Sequence, residues 1–176
     1  MGSRTPWRYE IPQQFAFGGL SHNIDIMRFL KDEIVEVAAY GSYSGHDPRY
    51  PSDVNETFVV NAKFADGTIG RMAMAPGTRP PLPNVYVQVF GTQGTFVSDK
   101  LILDSFVGKP IIDFDFEDEI WTAAEIRVLR GFVDSILGDA PQPLDEIDGA
   151  RITAVGESIL ASIESGGAPT KVRLDF

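Results

Sequence analysis

A chain of 176 residues with 43% apolar content has the size of one globular domain, able to bury about 70% of its unfolded surface. Its net charge of −10 excludes the basic footprint that nucleic acid or an anionic membrane requires. It has no cysteine, which excludes disulfides, thiol catalysis and cysteine-based zinc sites. No apolar run reaches the roughly 20 residues that span a bilayer, and the N-terminus lacks the apolar stretch of a signal peptide. A cytoplasmic location is the expectation. Residues 1–5 read as a tag or linker remnant, and residues 6–176 as a single α+β domain.

In chain order, Trp7-Arg8-Tyr9 is an aromatic–basic cluster. Arg8 offers a fork of donors suited to hydroxyls or phosphate; the competing reading is a surface strand that packs its tryptophan on the core. Next comes Phe17-Gly18-Gly19-Leu20-Ser21-His22-Asn23-Ile24-Asp25-Ile26-Met27-Arg28-Phe29-Leu30. It reads as a glycine turn, a serine N-cap at Ser21 and a helix whose Leu20, Ile24, Met27 and Leu30 face a core. His22 stands at the positive end of that helix, close to solvent. That position disfavours imidazolium and favours a neutral ring able to take a proton near pH 7.

Ile34 to Tyr43 alternates as a strand, and 42–55 is a loop. Thr57 to Ala65 and Thr68 to Ala75 are strands around a two-residue Asp66-Gly67 turn. Pro76 to Pro83 is a proline-rich loop. Val85 to Phe90, Thr95 to Ser98, Leu101 to Leu103 and Ile111 to Phe116 continue the meander, with a tight turn from Gly91 to Gly94. About six strands with short turns make a mostly antiparallel sheet. The acidic run from Asp113 to Glu119 reads as a solvated helix start.

The last third is helical. Ile126, Leu129, Phe132, Val133, Ile136 and Leu137 share one side of a helix that ends at Gly138. Ile152, Val155, Ile159 and Ile163 form the stripe of another, with Asp145, Glu146 and Asp148 at its start. Gly156 within that stripe implies close packing against a neighbour. Lys171 to Phe176 is a last short strand. The sum is an open, mostly antiparallel sheet with helices on one face. Apolar residues left on the other face predict an interface with a second copy.

The ordered set of segments resembles the C-terminal domain of the Gfo/Idh/MocA family of NAD(P)-dependent oxidoreductases, over about residues 6 to 175. The first segment is similar to its glycine–histidine–aspartate helix. Asp53-Val54-Asn55-Glu56, Phe58-Val59-Val60 and Phe64-Ala65-Asp66-Gly67-Thr68 resemble its first long hairpin. Val87 to Thr95 resembles its glycine–threonine–x–glycine–threonine turn. Phe132 to Gly138, Pro141 to Pro143, Asp148-Gly149-Ala150, Glu157-Ser158-Ile159 and Ser162 resemble its closing helices. The implied fold is the open sheet of the glyceraldehyde-3-phosphate-dehydrogenase C-terminal domain.

The resemblance implies hydride transfer on a sugar, polyol or similar hydroxylated substrate, and a homodimer or tetramer through the open sheet face. It implies NAD or NADP for a full-length enzyme, but no cofactor in this chain alone. No G-x-G-x-x-G turn follows a strand and opens a helix, and the family's Glu-Lys-Pro segment is absent. Gly108-Lys109-Pro110 lies between two strand-like runs and is not its counterpart. The chain therefore reads as a piece of a longer enzyme or a natural half-protein, inactive without a Rossmann half.

His22 is the catalytic candidate, because oxidising an alcohol by hydride removal also releases a proton, which a neutral imidazole accepts. A histidine that merely fills a polar gap is the alternative. The substrate-binding candidates are Trp7, Arg8, Gly18 and Asp25. Gly18 takes the place of an aspartate that many family members carry four residues before the histidine, and Asp25 lies one helical turn after it. His22 and Asp25, with His46 and Asp47, also have generic metal-ligand character; no metal is expected. Two other readings stand beside this one: a stand-alone dimerisation or ligand-binding module that has lost catalysis, and a cofactor-free acid–base pocket with His22 and Asp25 at its mouth.

Overall fold

The computed structural model describes residues 14–43, 45, 54–76, 86–103, 111–113, 121–138, 140–142 and 144–176, the side chains of 111, 113 and 121–124 excepted. Its elements in order are α1 (Phe15–Gly18), α2 (Leu20–Lys31), β1 (Ile34–Ser42), β2 (Thr57–Phe64) and β3 (Ile69–Met74). They continue as β4 (Gln88–Gly91), β5 (Gly94–Val97), β6 (Lys100–Leu103), β7 (Ile111–Asp113), α3 (Trp121–Leu137), α4 (Glu146–Glu164) and β8 (Thr170–Lys171). The chain divides into two units, residues 1–78 with 144–176, and residues 79–143.

The first unit is an antiparallel sheet of order β3-β2-β1-β8 with helices on one face. Strand β2 shows why only one face is covered. Phe58, Val60, Ala62 and Phe64 are buried, while Val59, Asn61 and Lys63 between them are exposed. This period of two puts every second side chain against the helices. Those four join Val37, Ala39 and Met72 from the sheet, Leu20 and Ile24 from α2, and Val155 and Ile159 from α4 in one core. On the opposite face Tyr40, Val59 and Ala73 lie side by side across three strands, bordered by Asn61, Arg71 and Lys63. Tyr40 is 68% exposed and Val59 43%.

The second unit carries a β4-β5-β6-β7 meander, also antiparallel throughout, together with α3. The described strands thus fall into two sheets of four. Two local readings change. The β2–β3 turn spans Ala65, Asp66 and Gly67 rather than two residues, because Phe64 accepts a bond from the Gly67 amide and donates to the Thr68 carbonyl. Gly67, at φ +88°, takes the left-handed position that a three-residue hairpin requires. The last strand is Thr170–Lys171 only; it pairs with Val37 and Glu36, and the Val172 amide adds one more bond to the Val35 carbonyl at 3.0 Å.

Helix α4 begins with a capping box. The Asp145 side chain accepts from the Asp148 amide at 2.9 Å, and Asp148 in turn accepts from the Asp145 amide. Gly156 does mark close packing: a Cβ there would lie 2.8 Å from the Phe17 ring. Ser162, fully buried, ties α4 to the sheet. Its Oγ accepts from the Ala39 amide at 2.9 Å and donates to the Ala168 carbonyl at 2.7 Å. Ser162→Ala leaves the Ala39 amide unsatisfied in the core and the Ala168 carbonyl with only the Thr170 hydroxyl at 3.2 Å, so we expect a loss of about 2 kcal/mol in urea unfolding. An unchanged midpoint would show that the bonds contribute nothing net.

Candidate functional site at the start of helix α2

Helix α2 is held against the sheet at three points along its length. Gly19 sits directly on Met74 at the end of β3, where a Cβ would lie 2.7 Å from the methionine sulfur. Gly70, at the start of β3, leaves room for the Met27 methyl, which a Cβ would overlap. Beyond it, Lys31 Nζ pairs with Asp66 Oδ2 at 2.6 Å on the β2–β3 turn. The helix therefore runs antiparallel to β3. Its N-terminal turn lies at the end of the strand farthest from the hairpin.

A fourth hold fixes α2 to α4. The guanidinium of Arg28, nearly buried, reaches Glu33 Oε1 at 2.9 Å, Asp148 Oδ1 at 3.2 Å and the Asp148 carbonyl at 3.4 Å. Arg151 joins Glu33 at 3.1 Å. The hydrogen bond from Arg28 holds the Asp148 carboxyl below its ordinary range, with smaller help from the Asp145 amide. Periodicity does not show this cluster, because Arg28 and Asp148 stand far apart in sequence.

The N-terminal turn differs from the sequence reading in one respect. Ser21 is not the N-cap. The helix starts at Leu20, Gly19 occupies the cap position without a side chain to offer, and Ser21 already lies within the first turn. The reason is α1, which runs almost directly into α2: the Gly19 amide bonds the Phe15 carbonyl at 2.9 Å, and the His22 amide bonds Gly19. Neither Gly18 nor Gly19 adopts a positive φ. Gly19 serves the close approach to Met74 instead.

His22 and Asp25 are both exposed and lie three residues apart, so they share one face of α2. Gly18, at the end of α1, has open space where a side chain would project. Gly18, just before α2, and His22 and Asp25 on it are thus all exposed. Trp7 and Arg8 lie outside the described residues, as do His46 and the Gly108-Lys109-Pro110 segment. Among the described residues, no group of three or more His, Asp and Glu side chains gathers as for a metal ion. No helix among them is long and apolar enough to cross a membrane.

Glu56 is a residue the sequence reading did not single out. It lies just before β2 and is fully buried, its amide bonded to the Ser42 carbonyl. A lone acid beside a strand carries no sequence signal of burial. In the second unit, a depression of about 360 Å³ beside the Gly91–Gly94 turn is walled by Val89, Phe96, Leu101 and Leu103, with no titratable side chain.

The Gfo/Idh/MocA model of the oxidoreductase family's C-terminal alpha/beta domain matches residues 4–174. The chain belongs to that family. No curated protein matches it in sequence. Among solved structures it is similar to levoglucosan dehydrogenase in complex with NADH, with a TM-score of 0.76 at 16% identity. That likeness covers 92% of this chain and 54% of the other. A probable dehydrogenase from Thermotoga maritima gives 0.71 at 18% identity, covering 94% and 52%. The WlbA dehydrogenase from Bordetella pertussis, in complex with NADH and UDP-GlcNAcA, gives 0.62 at 18%, covering 89% and 44%. The chain spans about half the length of these structures. At such identities the likeness is one of fold.

The neighbours with NADH raise the question of whether these residues suit a dinucleotide. Both described sheets are antiparallel, so among the described residues no strand–turn–helix–strand unit forms a pyrophosphate cradle. Gly18 and Gly19 follow a helix rather than a strand.

The Lys31–Asp66 anchor has a pH signature. Lys31, with help from the Thr68 amide, lowers the Asp66 pKa from 3.8 to about 2. A carboxylate depressed in the folded state contributes stability above its unfolded pKa and loses it as pH falls through the folded value. We expect stability to decline between about pH 4 and pH 2, and Asp66→Asn to flatten that decline while keeping the Thr68 bond. Acid titration of the unfolding free energy checks this; an identical slope in the variant would remove the anchor from the account.

Proposed function

We propose that this domain is the substrate-binding and oligomerisation part of an NAD(P)-dependent oxidoreductase acting on a sugar, polyol or similar hydroxylated compound. The observation that carries this reading is His22, exposed on the first turn of a helix anchored at both ends, with open space at Gly18 beside it. A substrate hydroxyl has room there within reach of an imidazole. Family membership supports hydride transfer as the reaction class, and two of the neighbours carry sugar substrates in their names.

Oxidation of a hydroxyl-bearing carbon releases a hydride and a proton, and His22 accepts the proton. Asp25, on the same face, orients the ring or a substrate hydroxyl. The main-chain surface at Gly18 admits substrate closer than an aspartate would. Trp7 and Arg8 complete the substrate side in this reading. The hydride acceptor, NAD or NADP, is not held by the described residues, so the chain alone does not turn over. The exposed Tyr40, Val59 and Ala73 on the outer face of the first sheet support assembly as a homodimer or tetramer.

A stand-alone dimerisation or ligand-binding module is the second reading. It is favoured by Gly18, which puts no carboxylate beside His22.

The chain has two histidines, which makes the test simple. In proton NMR at neutral pH, addition of a polyol such as sorbitol or a cyclic sugar is expected to move one imidazole signal. That signal disappears in His22→Ala, while the His46 signal stays in place. Resonances that ignore millimolar sugar would contradict substrate binding at His22. NADH fluorescence titration of the same chain is expected to show no stoichiometric complex. Tight NADH binding would contradict the assignment of the cofactor to residues outside this domain.

A further inference from the structure

Met27, Met72 and Met74, three of the chain's four methionines, gather in the core between α2 and the sheet, and the chain has no cysteine. Oxidisable sulfur is therefore concentrated at one contact. Both glycines of that contact are answered by a methionine, Gly19 by the Met74 sulfur and Gly70 by the Met27 methyl. Met72 is 4% exposed, whereas Met27 and Met74 lie at the rim of the core and are partly exposed.

The two ends of α2 are held differently. Arg28 and Lys31, in the last turn, are fixed by ion pairs to Glu33, Asp148 and Asp66 that involve no methionine. Among the described residues the first turn has no ion pair. It has Leu20 in the core and Gly19 resting on Met74. The Gly19 carbonyl in turn accepts from the His22 amide at 3.4 Å. The Met74 sulfur is thus two contacts away from the backbone of His22.

We propose that Met74 is an oxidation site through which a hydroperoxide unseats the first turn of α2 and displaces His22. A sulfur lone pair attacks one peroxide oxygen and the O–O bond breaks. The sulfur keeps that oxygen and is oxidised by two electrons to the sulfoxide. With hydrogen peroxide the other oxygen leaves as hydroxide and takes the proton of the transferred one, forming water. The product is polar where the thioether was apolar. It finds no donor at Gly19, whose amide is already bonded to the Phe15 carbonyl at 2.9 Å, and the core side chains around it are apolar. If the new oxygen faces Gly19, it pushes the turn off the strand. If the side chain swings out to water, it empties the space that Gly19 leaves for it. Either way the turn loses its seat. A sulfoxide at Met27 does not reach His22, because the ion pairs hold that end of the helix. The modification is read at the imidazole itself and stands without the substrate reading.

The test is treatment of the folded chain with millimolar hydrogen peroxide at neutral pH. Peptide mass mapping locates the sulfoxides, and the imidazole proton NMR signal follows His22. Met74 is expected to take up oxygen about tenfold faster than the buried Met72. The His22 signal is expected to move in proportion to the Met74 sulfoxide, while the His46 signal stays in place. Reduction by a methionine sulfoxide reductase returns it. Met74→Leu, apolar and close in volume, is expected to hold the His22 signal fixed under peroxide, and Met27→Leu to respond as the unaltered chain does. A His22 signal that ignores complete Met74 oxidation, shifts equally in Met74→Leu or follows Met27 instead overturns the proposal. So does a Met74 no more reactive than Met72. Should Met74→Leu fail to fold, the Met27→Leu chain decides: a shift that tracks Met74 and reverses with the reductase supports the site, and one that does not reverse overturns it.

Discussion

The close approach of one helix to one strand sets the geometry of the first unit. Glycines at Gly19 and Gly70 remove the two side chains that would hold α2 away from β3, and Met74 and Met27 fill the space. Everything at the candidate site follows from that approach. Leu20 and Ile24 reach the core, so the opposite face of the helix, with His22 and Asp25, is turned to solvent. Two ionic contacts then fix what packing alone leaves adjustable. Lys31 pins the far end to the hairpin, and Arg28 sets the helix against α4. Because Arg28 is nearly buried, losing one of its carboxylates costs more than losing a surface pair, since the remaining charge stays desolvated.

Much of this order was legible in the residues, and the exceptions have physical reasons. Period-two alternation from Thr57 to Phe64 and period-3.6 spacing in α2 and α4 mark the buried faces, because burial itself writes those patterns, although Leu30, read as facing the core, is 48% exposed. Gly156 announced a close neighbour that is Phe17. Ser21 looked like a cap because serine commonly is one, yet α1 feeds straight into α2 and moves the start to Gly19. The hairpin turn gained a residue because Gly67 supplies the left-handed position of a three-residue loop. The Arg28 cluster and the burial of Glu56 were invisible, since both depend on contacts between segments far apart in the chain. Of the proposed site, Gly18, His22 and Asp25 are all exposed near the start of α2. Trp7 and Arg8 lie outside the described residues.

The family assignment and the antiparallel topology bear on the proposed division of labour. In the first unit the helices cover one face of the sheet and leave Tyr40, Val59 and Ala73 exposed on the other. Among the described residues no parallel strand–helix crossover of the kind on which a dinucleotide is bound occurs. The proposal accordingly asks this domain for an imidazole and a substrate surface, and asks other residues for the nucleotide.

The central claim is that the start of α2 receives a substrate hydroxyl at His22, and a crystal structure of the chain soaked with a high concentration of a polyol tests it most directly. The account predicts a hydroxyl within roughly 2.6–3.2 Å of an imidazole nitrogen of His22, over the open space at Gly18. A polyol bound instead beside the Gly91–Gly94 turn, with His22 facing bulk water, would contradict it.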